Sequence, residues 1–186
     1  MKTSVKILLF AITATSFASC ASSNNPTSDT TAATTASATG VEENPYGGFP
    51  IDPPAPDETV LTVTVGGVDH NYTLEQLAQL GATTVTVYEP FIQTDSAFTG
   101  VELSVLFAES AITGEDSVKT IALNEYSYAN TAASFTGSDA ILAYKQNGMP
   151  IAMDRGGPIR IVIPNDKPLS KMLDAWNWSL RSLVVN

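Results

Sequence analysis

From Ala21 to Pro56 the chain holds almost no large apolar side chain. Thr, Ser, Ala, Asn and Pro fill it, and such a composition cannot bury enough surface to offset the entropy of ordering a backbone. Only the segment from Asp57 to Asn186 can build a core, and about 130 residues suit one domain. The stretch from Cys20 to Pro56 therefore reads as a disordered tether with an end-to-end distance of about 30 Å. Its Pro-rich end, Pro50 to Pro56, is expected to be stiffer, and the alternative to a free tether is a clasp in which Tyr46 and Phe49 pack on the domain.

Residues 1–19 have the grammar of a signal peptide. Lys2 and Lys6 give a positive start, and Ile7 to Phe17 is apolar but too short to span a bilayer. Phe17-Ala18-Ser19-Cys20 then sets small residues before the only cysteine. A lipoprotein signal peptidase needs that pattern because its site admits only small side chains there. Cys20 is the expected lipidation site, with ordinary secretion and cleavage near Ala18 as the alternative. A single cysteine allows no intrachain disulfide, and acylation removes a thiol that is a liability in an oxidising compartment. The expectation is an exported protein held to a membrane on its extracytoplasmic side, the outer membrane where the organism has one. No later apolar run is long enough to cross a bilayer.

The charge map excludes one large class of partners. The chain carries 9 Lys and Arg against 19 Asp and Glu, a net charge of −10. After Lys6 the next base is Lys119, and beyond it come Lys145, Arg155, Arg160, Lys167, Lys171 and Arg181. Nucleic-acid binding needs clustered cations and is not expected. Any anion site must come from the C-terminal third.

Within the domain, Val60 to Val65 alternates as a half-buried strand and turns at Gly66-Gly67 into Val68 to Tyr72. Thr73-Leu74-Glu75-Gln76 is a capping box opening a short helix. Thr83 to Tyr88 is a β-branched strand interrupted by Glu89-Pro90. Phe98 to Val101 is a short extended piece, and Leu103 to Ala108 a second helix. Further strands lie at Val118 to Leu123, within Asp139 to Lys145, at Ile159 to Ile163 and at Trp178 to Val185. The apolar phase of the last shifts between Leu180 and Leu183, the mark of a bulge. Many strands, two or three short helices and no βαβ rhythm make a single mixed, β-rich, sandwich-like α+β domain.

Few residues carry chemistry. His70 is the sole histidine and lies in a hairpin strand, so neither a zinc site nor a Cys-His pair can be assembled. Glu89 is either a buried carboxylate suited to proton transfer or a partly exposed strand-end residue. Trp176 and Trp178 read as core or rim packing. The loop Asp154-Arg155-Gly156-Gly157-Pro158 is the best ligand candidate. Its glycines let backbone N–H groups approach a ligand, and Arg155 with Arg160 would clamp an anion. Arg160 alternates with Ile159 and Ile161, so Arg155 must curl back to join it.

The order of these pieces resembles the oxidoreductase molybdopterin-binding domain of the sulfite oxidase family, in its short exported form. The resemblance rests on Phe98-Thr99-Gly100-Val101-Glu102-Leu103, Ala122-Leu123-Asn124-Glu125-Tyr126, Leu142-Ala143-Tyr144 with Asn147-Gly148-Met149-Pro150, Gly157-Pro158 through Pro164, and Trp178-Ser179-Leu180-Arg181. It covers essentially all of Asp57 to Asn186 and implies that family's mixed sandwich-like fold. It also brings in Asn124 and Tyr126 as neutral partners of Arg155 and Arg160. The family's enzymes hold molybdenum through a cysteine just after the strand corresponding to Thr83 to Tyr88. Here the stretch reads Val87-Tyr88-Glu89-Pro90-Phe91. No cofactor is expected, and molybdopterin is implied by the resemblance alone. The expected function is a cofactor-free binding or interaction module, taking a small anionic ligand or a protein partner in the envelope. The alternatives are a molybdopterin-dependent oxidoreductase, with a pocket bounded by Glu89, Tyr126 and the Arg155 loop, and a structural envelope protein without ligand.

Overall fold

The computed structural model describes residues 53–186. The signal peptide, Cys20, and Tyr46 and Phe49 of the tether lie outside the described residues. The chain enters through a turn in which the Glu58 N–H donates to the Ala55 carbonyl at 3.0 Å and the Glu58 carboxylate accepts from the Ala55 N–H at 3.0 Å.

The described residues form ten strands and three α-helices: β1 (Leu61–Val65), β2 (Val68–Tyr72), α1 (Leu74–Leu80), β3 (Thr83–Glu89), β4 (Thr94–Glu102), α2 (Leu103–Glu109), β5 (Ser117–Ala122), β6 (Ser127–Thr131), α3 (Ala132–Thr136), β7 (Ile141–Gln146), β8 (Met149–Pro150), β9 (Arg160–Val162) and β10 (Leu180–Val185). One sheet runs β2-β1-β10-β5-β6, and the other β3-β4-β7-β8 with β9 also paired to β7. The fold is α+β, with mixed sheets and three short helices. β1 and β10 pair in parallel, closing the first sheet with strands from the two ends of the domain. Leu61, Val63, Val118 and Leu183 of that sheet and Val87, Phe98, Val101 and Leu142 of the other lie in one core cluster.

Local chemistry explains the elements. Thr73 caps α1 reciprocally with Gln76, its hydroxyl accepting from the Gln76 N–H at 3.2 Å while the Gln76 side chain accepts from the Thr73 N–H at 2.8 Å. The phase shift in β10 is a register shift between Leu180 and Ser182 against β5. A second shift falls at Thr99 and Gly100 where β4 meets β7. A Cβ on Gly100 would collide with the Leu142 carbonyl oxygen, so only glycine lets the two backbones approach there. The extended piece expected at Phe98 to Val101 is the end of a nine-residue strand. β6 and α3 have no counterpart in the strands and helices read from the sequence.

Candidate functional site

Strand alternation carries a carboxylate into the core. In β3, Val87 and Glu89 point inward while Thr84, Thr86 and Tyr88 are exposed. Pro90 then ends the ladder, and the chain turns back with the Gln93 N–H on the Glu89 carbonyl at 2.9 Å. That turn aims two donors at the Glu89 carboxylate: Oε2 accepts from the Phe91 N–H at 3.0 Å and the Ile92 N–H at 2.8 Å. Oε1 accepts from the Arg160 guanidinium at 3.0 Å. Both side chains are 0 % exposed.

Arg160 sits in β9, buried on both sides by its neighbours. Its second amino group donates to the Arg155 carbonyl at 3.4 Å. The guanidinium carbon lies 4.2 Å from the centre of the Trp178 ring and 5.3 Å from that of Phe98, within the range of cation–π attraction. The strap over it is held by backbone bonds. The Ser179 N–H donates to the Gly156 carbonyl at 2.8 Å, Leu180 to Ile159 at 2.9 Å, and Ile161 to Asn177 at 3.0 Å. A Cβ on Gly157 would collide with the Ile151 carbonyl oxygen, so the loop accepts no side chain there. The Gly157-Pro158 peptide is cis.

The four residues expected at a ligand are thus divided. Arg160 is turned inward onto Glu89 instead of toward a solute. Arg155 is half-buried in the short 3-10 turn Met153–Arg155, and its carbonyl accepts from Arg160. Asn124 and Tyr126 lie in the turn between β5 and β6, where the Asn124 side-chain oxygen accepts from the Tyr126 N–H at 3.1 Å. Tyr126 does reach the neighbourhood of Trp178. It lines, with Phe91, Leu173, Asp174, Trp176, Asn177 and Trp178, a shallow depression of about 240 Å³. Desolvation, helped by a hydrogen bond to the Asp174 carboxylate and its charge, pushes the Tyr126 phenol up to about 12.

Four contributors to this depression escaped the sequence reading as site residues: Phe91, Leu173, Asp174 and Asn177. Phe91 packs edge-on to Trp178, with centroids 4.5 Å apart. Asn177 is 2 % exposed. Its amide nitrogen donates to the Thr120 hydroxyl at 3.0 Å, which itself donates to the Tyr128 carbonyl at 3.0 Å. The Asn177 side-chain oxygen has no hydrogen-bond partner among the described residues. Trp176 is core packing, its indole N–H donating to the Ser170 carbonyl at 3.0 Å. A larger groove of about 570 Å³ lies elsewhere, over Thr62, Leu123, Met153, Pro158, Leu180 and Val184. Among the described residues no group of three or more His, Cys, Asp or Glu is placed to hold a metal ion.

Residues 89–167 match the sequence profile of the oxidoreductase molybdopterin binding domain. No curated protein matches the chain. Among solved structures the chain is similar to the sulfane dehydrogenase SoxCD from Paracoccus pantotrophus, with 18 % sequence identity and a TM-score of 0.56 over 73 % of this chain. The match spans 40 % of the length of that chain. What the two share is the sulfite oxidase-type fold.

Proposed function

We propose that this molybdopterin-binding-domain fold serves here as a cofactor-free binding module, tethered through a lipid on Cys20 to the extracytoplasmic side of a membrane. One observation carries the reading. Where the resemblance calls for a metal-holding cysteine, just after the stretch Thr83 to Tyr88, the chain has Glu89 at the end of β3, sealed in an ion pair with Arg160 beneath Trp178. The next residues are Pro90 and Phe91, and the only cysteine in the chain is Cys20. A carboxylate already engaged by a guanidinium and two backbone N–H groups does not replace a soft thiolate. The residues present therefore do not fit a thiolate-held molybdenum, and no redox step is derived from them.

The remaining surface suits binding. Phe91 and Tyr126 are 44 % and 43 % exposed around the depression beside the buried pair, and half-exposed aromatic side chains are characteristic of recognition surfaces. Acid denaturation of the purified protein should release no fluorescent pterin. Stoichiometric pterin would overturn the reading. The anchor has its own test. Labelled palmitate should enter the native chain, and Cys20→Ser should abolish incorporation and free the protein from membranes. Retention of that variant in the membrane would mean that something other than the lipid holds it.

A further inference from the structure

The depression at Phe91, Tyr126 and Trp178 has a definite electrostatic sign. Two of its polar groups are acceptors: the Asp174 carboxylate, whose charge helps raise the Tyr126 phenol, and the side-chain oxygen of Asn177. That oxygen is assigned by its neighbours, because the Thr120 hydroxyl donates to Tyr128 and must accept from the Asn177 nitrogen. Asn177 is therefore a buried acceptor with no donor among the described residues, a condition that costs free energy until a donor arrives. Two cations of the adjoining strands β9 and β10 are paired with carboxylates. Arg160 is neutralised by Glu89, and Arg181 is bonded to Glu125 at 2.8 Å. The chain as a whole carries −10, so the long-range field also draws cations.

The rim is apolar and extends beyond the depression. Met172 and Leu173 are 47 % and 51 % exposed and adjoin Asp174 in the chain. Phe91 and Tyr126 complete the wall. A free ammonium ion would leave most of this rim wet, whereas a polypeptide would cover it. We propose that this surface docks a protein partner by taking one of its arginine or lysine side chains between Phe91 and Tyr126, onto Asp174 and Asn177, with apolar flanking residues of the partner on Met172 and Leu173. The inference rests on the reading of the domain as a binding module and names its partner chemistry.

The test is an NMR titration of the full chain carrying Cys20→Ser. The probes are N-acetyl-Leu-Arg-Leu-amide, the same peptide with citrulline for arginine, and tetramethylammonium chloride. The arginine peptide should move the Asn177 side-chain amide and Trp178 indole signals saturably. The neutral citrulline peptide should bind about tenfold more weakly, as loss of a charge-assisted contact requires. Asp174→Asn should weaken the arginine peptide by about the same factor, and Phe91→Ala should weaken both peptides. Equal binding of the two peptides, shifts confined to another face, or no saturation at millimolar peptide would overturn the proposal. So would tetramethylammonium binding as tightly as the peptide, because that describes a small-cation cage. The arginine-against-citrulline comparison uses the native domain and stands even where a variant fails to fold. Pterin measured on the same sample separates the failures. Absent pterin with no peptide binding removes the docking site alone, and pterin present removes the reading beneath it.

Discussion

Neither Glu89 nor Arg160 has water to turn to, with both side chains at 0 % exposure. A buried pair of this kind adds little over apolar residues of the same volume, yet removing one partner strands the other charge and costs about 3–5 kcal/mol. Glu89→Ala and Arg160→Ala should each lower unfolding stability by about that amount in urea denaturation. The double substitution Glu89→Leu with Arg160→Met should recover most of the loss. Single losses below about 1 kcal/mol would show that the pair is not enclosed as described. Tyr126 offers a second residue-scale check. Its phenol is raised from 10.0 to about 12, so its neutral form favours the folded state. That contribution is complete below pH 10 and is lost as the pH rises through about 12. Burial raises the Tyr144 phenol as well, so ultraviolet absorbance should show a late-titrating component that loses one tyrosine in Tyr126→Phe and shifts partly downward in Asp174→Asn. The sequence left Glu89 open between a buried and a strand-end carboxylate, and its shared two-residue period with Val85 and Val87 is what turns it inward. Its partner was not. Arg160 lies 71 residues away, and only the path from β3 through β4 and β7 to β9 brings the two together.

Elements were legible where a pattern repeats or a turn has required chemistry. The capping box of α1, the Gly66-Gly67 hairpin and the bulge in β10 each come from a few adjacent residues. β6 and α3 carry no such mark. β6 is an edge strand in which Tyr128 is the one large apolar residue, and α3 has five residues, too few for a helical period to show. The length of β4 was hidden for another reason, since Thr94-Asp95-Ser96 looks like a loop until β3 pairs with it. Two substitutions test the elements. Thr73→Ala removes the N-cap of α1 and should cost about 0.5–2 kcal/mol. Gly100→Ala drives a methyl group into the Leu142 carbonyl, a backbone contact that cannot swing away. It should cost more than the cap, about 1–3 kcal/mol or failure to fold. Denaturation midpoints in that order support the register of β4 on β7, and a neutral Gly100→Ala would contradict it.

For the whole molecule, the shared fold and the departure at its centre belong to different layers of the structure. The two sheets, their common core and the glycine contact at Gly100 build the scaffold. The turn after β3 and the strap at Trp178 decide what that scaffold holds. Fold and function separate at such turns, because a few side chains there change the chemistry without disturbing the core. Here they close the position with an ion pair and leave an aromatic, acceptor-rich surface above it. The most direct measurement is the metal content of the protein, purified from its own cells grown with ample molybdate. Elemental analysis should find no stoichiometric molybdenum, in the native chain and in Glu89→Ala alike. Molybdenum approaching one atom per chain in the native protein would contradict the account.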